Sequence, residues 1–173
     1  VSLNYFELFG LKPIFNIDLT TLESNFRKIQ SESHPDRFVT APAAEKLSAM
    51  QQATLANEAY LCLKSPANRA KYLLELQGVT AISETNTVMP IDFLMQQMEW
   101  REAMEDAVSA KDISALDNLL AKIRVEAKSL QESLINLVDV QNDYASSADA
   151  TRKLIFIDKV SEDINHAIEQ IDI

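Results

Sequence analysis

Cysteine is almost missing from this 173-residue chain: Cys62 stands alone, which excludes an internal disulfide framework. One cysteine and two histidines also cannot complete a four-ligand zinc site without distant carboxylates. Nothing around Cys62 marks an activated thiolate, and it reads as a small apolar filler. No metal or other cofactor is expected. Glycine is scarce too, with two residues, and there are only five prolines, so the turn chemistry of a β-sheet fold is lacking. The abundance of Ala, Leu, Glu, Gln and Lys favours long helices instead. No apolar run is long enough to span a membrane, and no charged segment followed by an apolar one opens the chain. The expectation is a soluble, cytoplasmic, all-α protein with no membrane contact.

Basic residues are the next shortage, at 16 Lys and Arg against 26 Asp and Glu. Residues 1 to 77 hold eight of each sign and balance, so the whole net charge of −10 falls on residues 78 to 173. A second half this acidic repels phosphate backbones, which argues against nucleic acid. It is either a solvated surface or one that meets a basic protein partner.

The apolar spacing divides the chain. A short helix covers "NYFELFGL". Asp18 can cap a second helix carrying Leu19, Leu22, Phe26 and Ile29, which must stop before Pro35. A third runs from Pro42 through Ala43, Leu47, Met50, Leu55, Tyr60 and Leu63, with Met50 and Tyr60 read as core. Tyr5, Leu8 and Phe26 are read the same way. Pro66 opens a fourth helix, "ANRAKYLLELQ", closed by Gly78. Residues 1 to 77 thus form one domain, and 78 to 89, rich in Thr and Ser, a linker. Residues 90 to 173 hold three more helical patterns, about 91–109, 113–145 and 149–171, an up-down-up bundle. His166 falls on the polar side of the last.

The helix after Pro90 has two faces. At about 100° per residue, Phe93, Trp100, Met104 and Ala107 share one stripe. Ile91, Leu94, Met95 and Met98 share another, nearly opposite, which continues into Glu102, Glu105 and Asp106 with Glu99 alongside. Either the first turns are buried on both sides, or the second stripe is an apolar and acidic docking face for a basic partner. Phe156 lies off the centre of its own core stripe and can extend such a face.

"HPDRF" holds one of the two histidines, His34, 24 residues after Gly10. A His34–Asp36 acid/base dyad is a weak reading: neighbouring loop residues rarely point at one substrate atom, and no activated nucleophile, phosphate loop or metal cluster accompanies them. A helix stop explains Pro35 but not its neighbours. Recognition explains all three: proline fixes a turn that holds an imidazole and a carboxylate for a partner.

"YFELFGL", a periodic helix, "HPDRF", a second long helix and "NRAKYLL" together resemble a J-domain. The segments "NTVMPIDFLMQQMEWREAMEDA" and "ADATRKLIFIDKVSEDI" resemble the C-terminal domain of the HscB family, J-type co-chaperones of bacterial iron–sulfur cluster assembly. The resemblance spans essentially the entire chain. It implies an N-terminal J-domain, a helical hairpin with short helices, followed by a C-terminal three-helix bundle. It also implies a non-enzymatic co-chaperone with two partners. His34, Pro35 and Asp36, supported by Arg27, Lys28 and Arg37, would engage the chaperone ATPase HscA and stimulate its ATP hydrolysis. Leu94, Met95, Met98, Glu99, Glu102, Asp106 and Phe156 would bind the cluster scaffold IscU. Two positions depart from the family pattern. Ser31, Glu32 and Ser33 end a helix that is usually strongly basic, and Asp106 stands where Glu is favoured. The CxxC pairs of mitochondrial relatives are missing, as in the bacterial form. The other reading is a J-domain protein serving a different client.

Overall fold

The computed structural model describes residues 3–82 and 89–173, and every regular element among them is helical. The chain divides into two compact units, Val1–Leu73 and Leu74–Ile173.

In the first unit, α1 (Tyr5–Leu8) starts with a capping box in which the Asn4 side chain and the Glu7 carboxylate each accept the other's backbone N–H. Gly10 ends it at φ +66°, where Leu11 N–H reaches back to the Phe6 carbonyl. Helix α2 (Leu19–Glu32) begins at Asp18, whose carboxylate accepts from the Thr21 hydroxyl and from the Thr20 and Thr21 amides. Those bonds, the Thr21 hydroxyl first, hold the Asp18 carboxyl below its ordinary range. Its contribution to the helix is therefore present above that range and lost on acidification. A 3-10 turn (Pro35–Phe38) leads to α3 (Ala43–Lys64), and α4 (Pro66–Leu76) follows a one-residue break.

The core of this unit is aromatic on one side and alanine on the other. Phe6, Phe9, Phe15 and Leu22 are buried, Phe26 stacks on Tyr60 with ring centroids 4.0 Å apart, and Tyr5 stacks on Tyr72 at 4.5 Å. Burial, helped by the nearby Glu58, pushes the Tyr5 phenol upward. Against the phenylalanines α3 presents Ala49, Ala56, Ala59 and Leu63. This corrects the expected register: Met50 is 66% exposed, and Leu47 and Leu55 also face solvent. Bulk is supplied by α1 and α2, so α3 needs small side chains to approach them.

Helix α4 ends in a Schellman motif: Gly78, at φ +76°, donates to the Glu75 carbonyl and Val79 donates to the Leu74 carbonyl. Residues 83–88, half of the expected linker, lie outside the described residues. The stretch before them belongs to the second unit, where Leu74 and Ala81 pack on Ala148 beside Val79 and Tyr144. Arg152 fixes it: the nearly buried guanidinium donates to the Ala81 carbonyl at 2.8 Å and pairs with Asp149.

The second unit is a three-helix bundle of α5 (Ile91–Ser109), α6 (Ile113–Leu134) and α7 (Tyr144–Ile171). Phe93, Trp100, Leu116, Ile123, Leu134, Leu154 and Ile164 occupy its core. Lys111, at φ +52°, turns the chain, and Asp112 caps α6. The second junction falls earlier than the apolar pattern suggests. Helix α6 passes into a π-helical turn (Ile135–Val140), and Asn142 at φ +52° ends the run. Asp143 then caps α7 by accepting from Ser146 N–H. No helix among the described residues is long and apolar enough to cross a membrane.

Two predictions follow the packing. Ala56→Leu overfills the α3 interface and destabilises by roughly 1–3 kcal/mol, whereas Met50→Ala changes stability by about 0.5 kcal/mol or less. Urea denaturation separates them, and a large loss for Met50→Ala would restore the register first expected. Arg152→Met, which leaves the Ala81 carbonyl without its donor, costs roughly 1–3 kcal/mol in the same measurement.

Candidate functional site

Each unit carries one cluster of the residues singled out in the sequence. In the first, Ser33 closes α2: its hydroxyl donates to the Ile29 carbonyl at 2.7 Å, burying it beneath the turn. Pro35 forces the preceding residue out of the helical region, and His34 sits at ψ 134°. Proline then opens the 3-10 turn, which Arg37 N–H closes on the His34 carbonyl at 3.0 Å.

The imidazole is itself the cap of this turn. His34 Nδ1 accepts from the Asp36 backbone N–H at 3.2 Å and lies 3.6 Å from Asp36 Oδ2. The two contacts demand opposite states of one nitrogen: the first needs its lone pair, the second a proton. In the neutral ring the shorter bond holds, placing the proton on Nε2 and leaving Nε2–H as a donor. The side chains are 59% and 88% exposed, so both are offered outward by a turn whose backbone is fixed.

Clefts flank the turn on either side. One, of about 420 Å³, is lined by Arg27, Gln30, Ser31, His34, Pro35 and Asn57. The other, of about 500 Å³, lies between Pro35, Phe38, Val39 and the α3 residues Lys46, Ala49 and Met50. Lys28 and Arg37 are exposed. Arg27 is not free: its guanidinium pairs with Glu23 at 2.6 Å, one turn earlier on α2. Both groups are largely exposed, so solvent screens the pair and a competing carboxylate can displace it at little cost.

The second cluster lies on α5. Phe93, Trp100 and Ala107 are buried and Met104 is half-buried, while Leu94, Met95 and Met98 are 43%, 57% and 70% exposed. Glu99, Glu102, Glu105 and Asp106 are exposed as well. Within the second unit, then, the side of α5 opposite its buried stripe is not covered by α6 or α7. Phe156 is half-buried on α7. Lys153, one turn before it, places its Nζ over the Phe93 ring at 5.6 Å, so this stretch of α7 lies beside the first turns of α5. Lys153 itself was not singled out in the sequence. Its only signal there was its place one turn before Phe156, and its position over Phe93 depends on the packing of α7 against α5.

No group of three or more potential metal ligands forms among the described residues. His166 is exposed, apart from both clusters.

A hairpin of α2 and α3 that displays a His-Pro-Asp turn, followed by a three-helix bundle, defines a J-domain co-chaperone. Comparison with known proteins places it further. Residues 89–165 match the family described as the HSCB C-terminal oligomerisation domain. The co-chaperone protein HscB homolog of Ralstonia nicotianae is 47% identical over 168 residues, 97% of this chain and 96% of that protein. The homolog from Burkholderia mallei is also 47% identical, over 169 residues, 98% of this chain and 96% of its own. The structure of chaperone HscB from Vibrio cholerae superposes with a TM-score of 0.83 at 38% identity, covering 98% of this chain and 99% of its own. Human co-chaperone protein HscB shares the fold, with a TM-score of 0.88 at 24% identity over 99% of this chain and 84% of its own. The chain belongs to the HscB family of co-chaperones.

The turn geometry carries its own test: His34→Phe removes the acceptor of the Asp36 amide, so that amide exchanges with solvent faster than in wild type, and unchanged exchange would contradict the cap.

Proposed function

We propose that this protein captures the iron–sulfur cluster scaffold IscU on the exposed face of α5 and presents it to HscA through the His-Pro-Asp turn, so that capture is coupled to ATP hydrolysis. Family membership supports the co-chaperone part of this reading. The observation that carries the client part is the second face of α5, where Leu94, Met95 and Met98 run into Glu99, Glu102 and Asp106 without a covering element among the described residues. An apolar patch of adaptable side chains supplies affinity, and a flanking row of carboxylates orients a basic partner and speeds its arrival. Phe156 extends the patch from α7.

The J-domain surface works differently. Asp36 can take an arginine of the chaperone in a bidentate pair, and the His34 Nε2–H supplies a neighbouring donor. Pro35 keeps both in place before binding, so little ordering remains to be done on contact. Arg37 and Lys28 add positive charge, and Arg27 can exchange Glu23 for a carboxylate of the partner. Because Ser31, Glu32 and Ser33 stand at the end of α2 where the family pattern is basic, steering rests on fewer charges and is weaker.

Single-turnover ATP hydrolysis by HscA, with and without IscU, tests both surfaces. His34→Gln abolishes the stimulation. Met98→Ala combined with Glu102→Ala leaves the basal stimulation but weakens the added effect of IscU, with a roughly 10- to 100-fold loss of IscU affinity. Full stimulation by His34→Gln would reject the J-domain assignment. An unaltered IscU effect in the double variant would leave a co-chaperone whose client is another protein.

A further inference from the structure

Beside the α5 face lies a groove of about 460 Å³ lined by Asp92, Phe93, Met95, Gln96 and Glu99 of α5, Glu126 of α6 and Lys153 of α7. Met95 and Glu99 belong both to this groove and to the proposed docking face, so the two surfaces are continuous. Three carboxylates and one ammonium share the groove, yet Lys153 makes no ion pair among the described residues. Its ammonium instead rests over the Phe93 ring at 5.6 Å, with the side chain half-buried. That contact restrains the long side chain and reduces the entropy lost when the charge is used.

We infer that Lys153 is a specificity-determining residue of the docking face and receives a carboxylate of the captured scaffold. The inference rests on the reading of α5 as the scaffold surface. It defines the partner more closely. Apolar side chains of the scaffold would meet Leu94, Met95 and Met98, and basic ones would meet Glu102 and Asp106. One acidic group, positioned at the end of the patch nearest Asp92, would meet Lys153. A uniformly basic partner would find this lysine repulsive, so the face discriminates between basic proteins and one with this particular alternation of sign.

The sign of the effect separates this role from simple neutralisation of neighbouring acids. If Lys153 only offset the surrounding carboxylates, removing it would make the face more negative and tighten a basic partner. Calorimetric titration of IscU into wild type, Lys153→Met, Lys153→Arg and Met98→Ala decides the matter. Lys153→Met is expected to weaken binding by about tenfold, while Lys153→Arg, which keeps the charge, stays close to wild type. Stimulation of HscA without scaffold is unchanged in all the Lys153 variants. Equal or tighter binding by Lys153→Met, with Met98→Ala still weakened, overturns the inference and leaves the α5 reading intact. Weakening by Lys153→Met with no effect of Met98→Ala retains the lysine contact and rejects the α5 patch. Failure of the wild type to bind IscU removes both.

Discussion

A helix packed into a small bundle can hide only one stripe of its surface, and both units of this protein turn on which stripe is hidden. In α5 the hidden stripe is Phe93, Trp100 and Ala107, leaving the opposite side to water whatever residues it carries. That side carries Leu94, Met95 and Met98. Placing large apolar side chains there works against solubility unless they meet a partner, and the carboxylates that follow keep the free surface hydrated. In α3 the same limit operates in reverse. The hidden stripe is alanine, because the phenylalanines of the neighbouring helices already fill the interior.

The His-Pro-Asp turn solves a different problem, the display of two polar groups without a strand or a buried network to hold them. Proline fixes the backbone, Ser33 anchors the end of α2 from below, and the imidazole caps the turn by accepting a hydrogen bond. Each member of the tripeptide thus has a structural task as well as an outward-facing group. Asp36 is left with its carboxylate exposed, the condition in which it can pair with a partner at small desolvation cost. Within the second unit, the Schellman bonds at Gly78 close the end of α4, and the Arg152 bond to the Ala81 carbonyl ties the stretch that follows to α7.

Much of the fold was legible because helix ends carry local chemistry. Asp18, Pro66, Gly78 and Pro90 marked boundaries that the structure keeps within a residue or two. The two faces of α5 were legible from spacing alone, since a difference of half a turn survives any small error in register. Three features were not. Alanine looks neutral in a hydrophobic pattern, so Met50 and Leu47 drew the core stripe of α3 to the wrong side. The π-helical turn at Ile135–Val140 changes the period at the end of α6, and no apolar count detects it. The strap from Leu74 to Ala81 depends on Arg152, 71 residues away, a pairing with no local signature. At the His-Pro-Asp turn the residues were evident from the sequence, but the capping role of the imidazole came only from its geometry.

The central claim is that one chain carries two separate recognition surfaces, one on each unit. Backbone amide shifts of the full chain, recorded during separate titrations with the chaperone ATPase and with the scaffold, test it most directly. The chaperone should perturb residues around 27 to 37 and leave α5 unmoved, and the scaffold should perturb residues 94 to 106 and 153 to 156 and leave the turn unmoved. Scaffold-induced shifts centred on the His-Pro-Asp turn, or chaperone-induced shifts centred on α5, would contradict it.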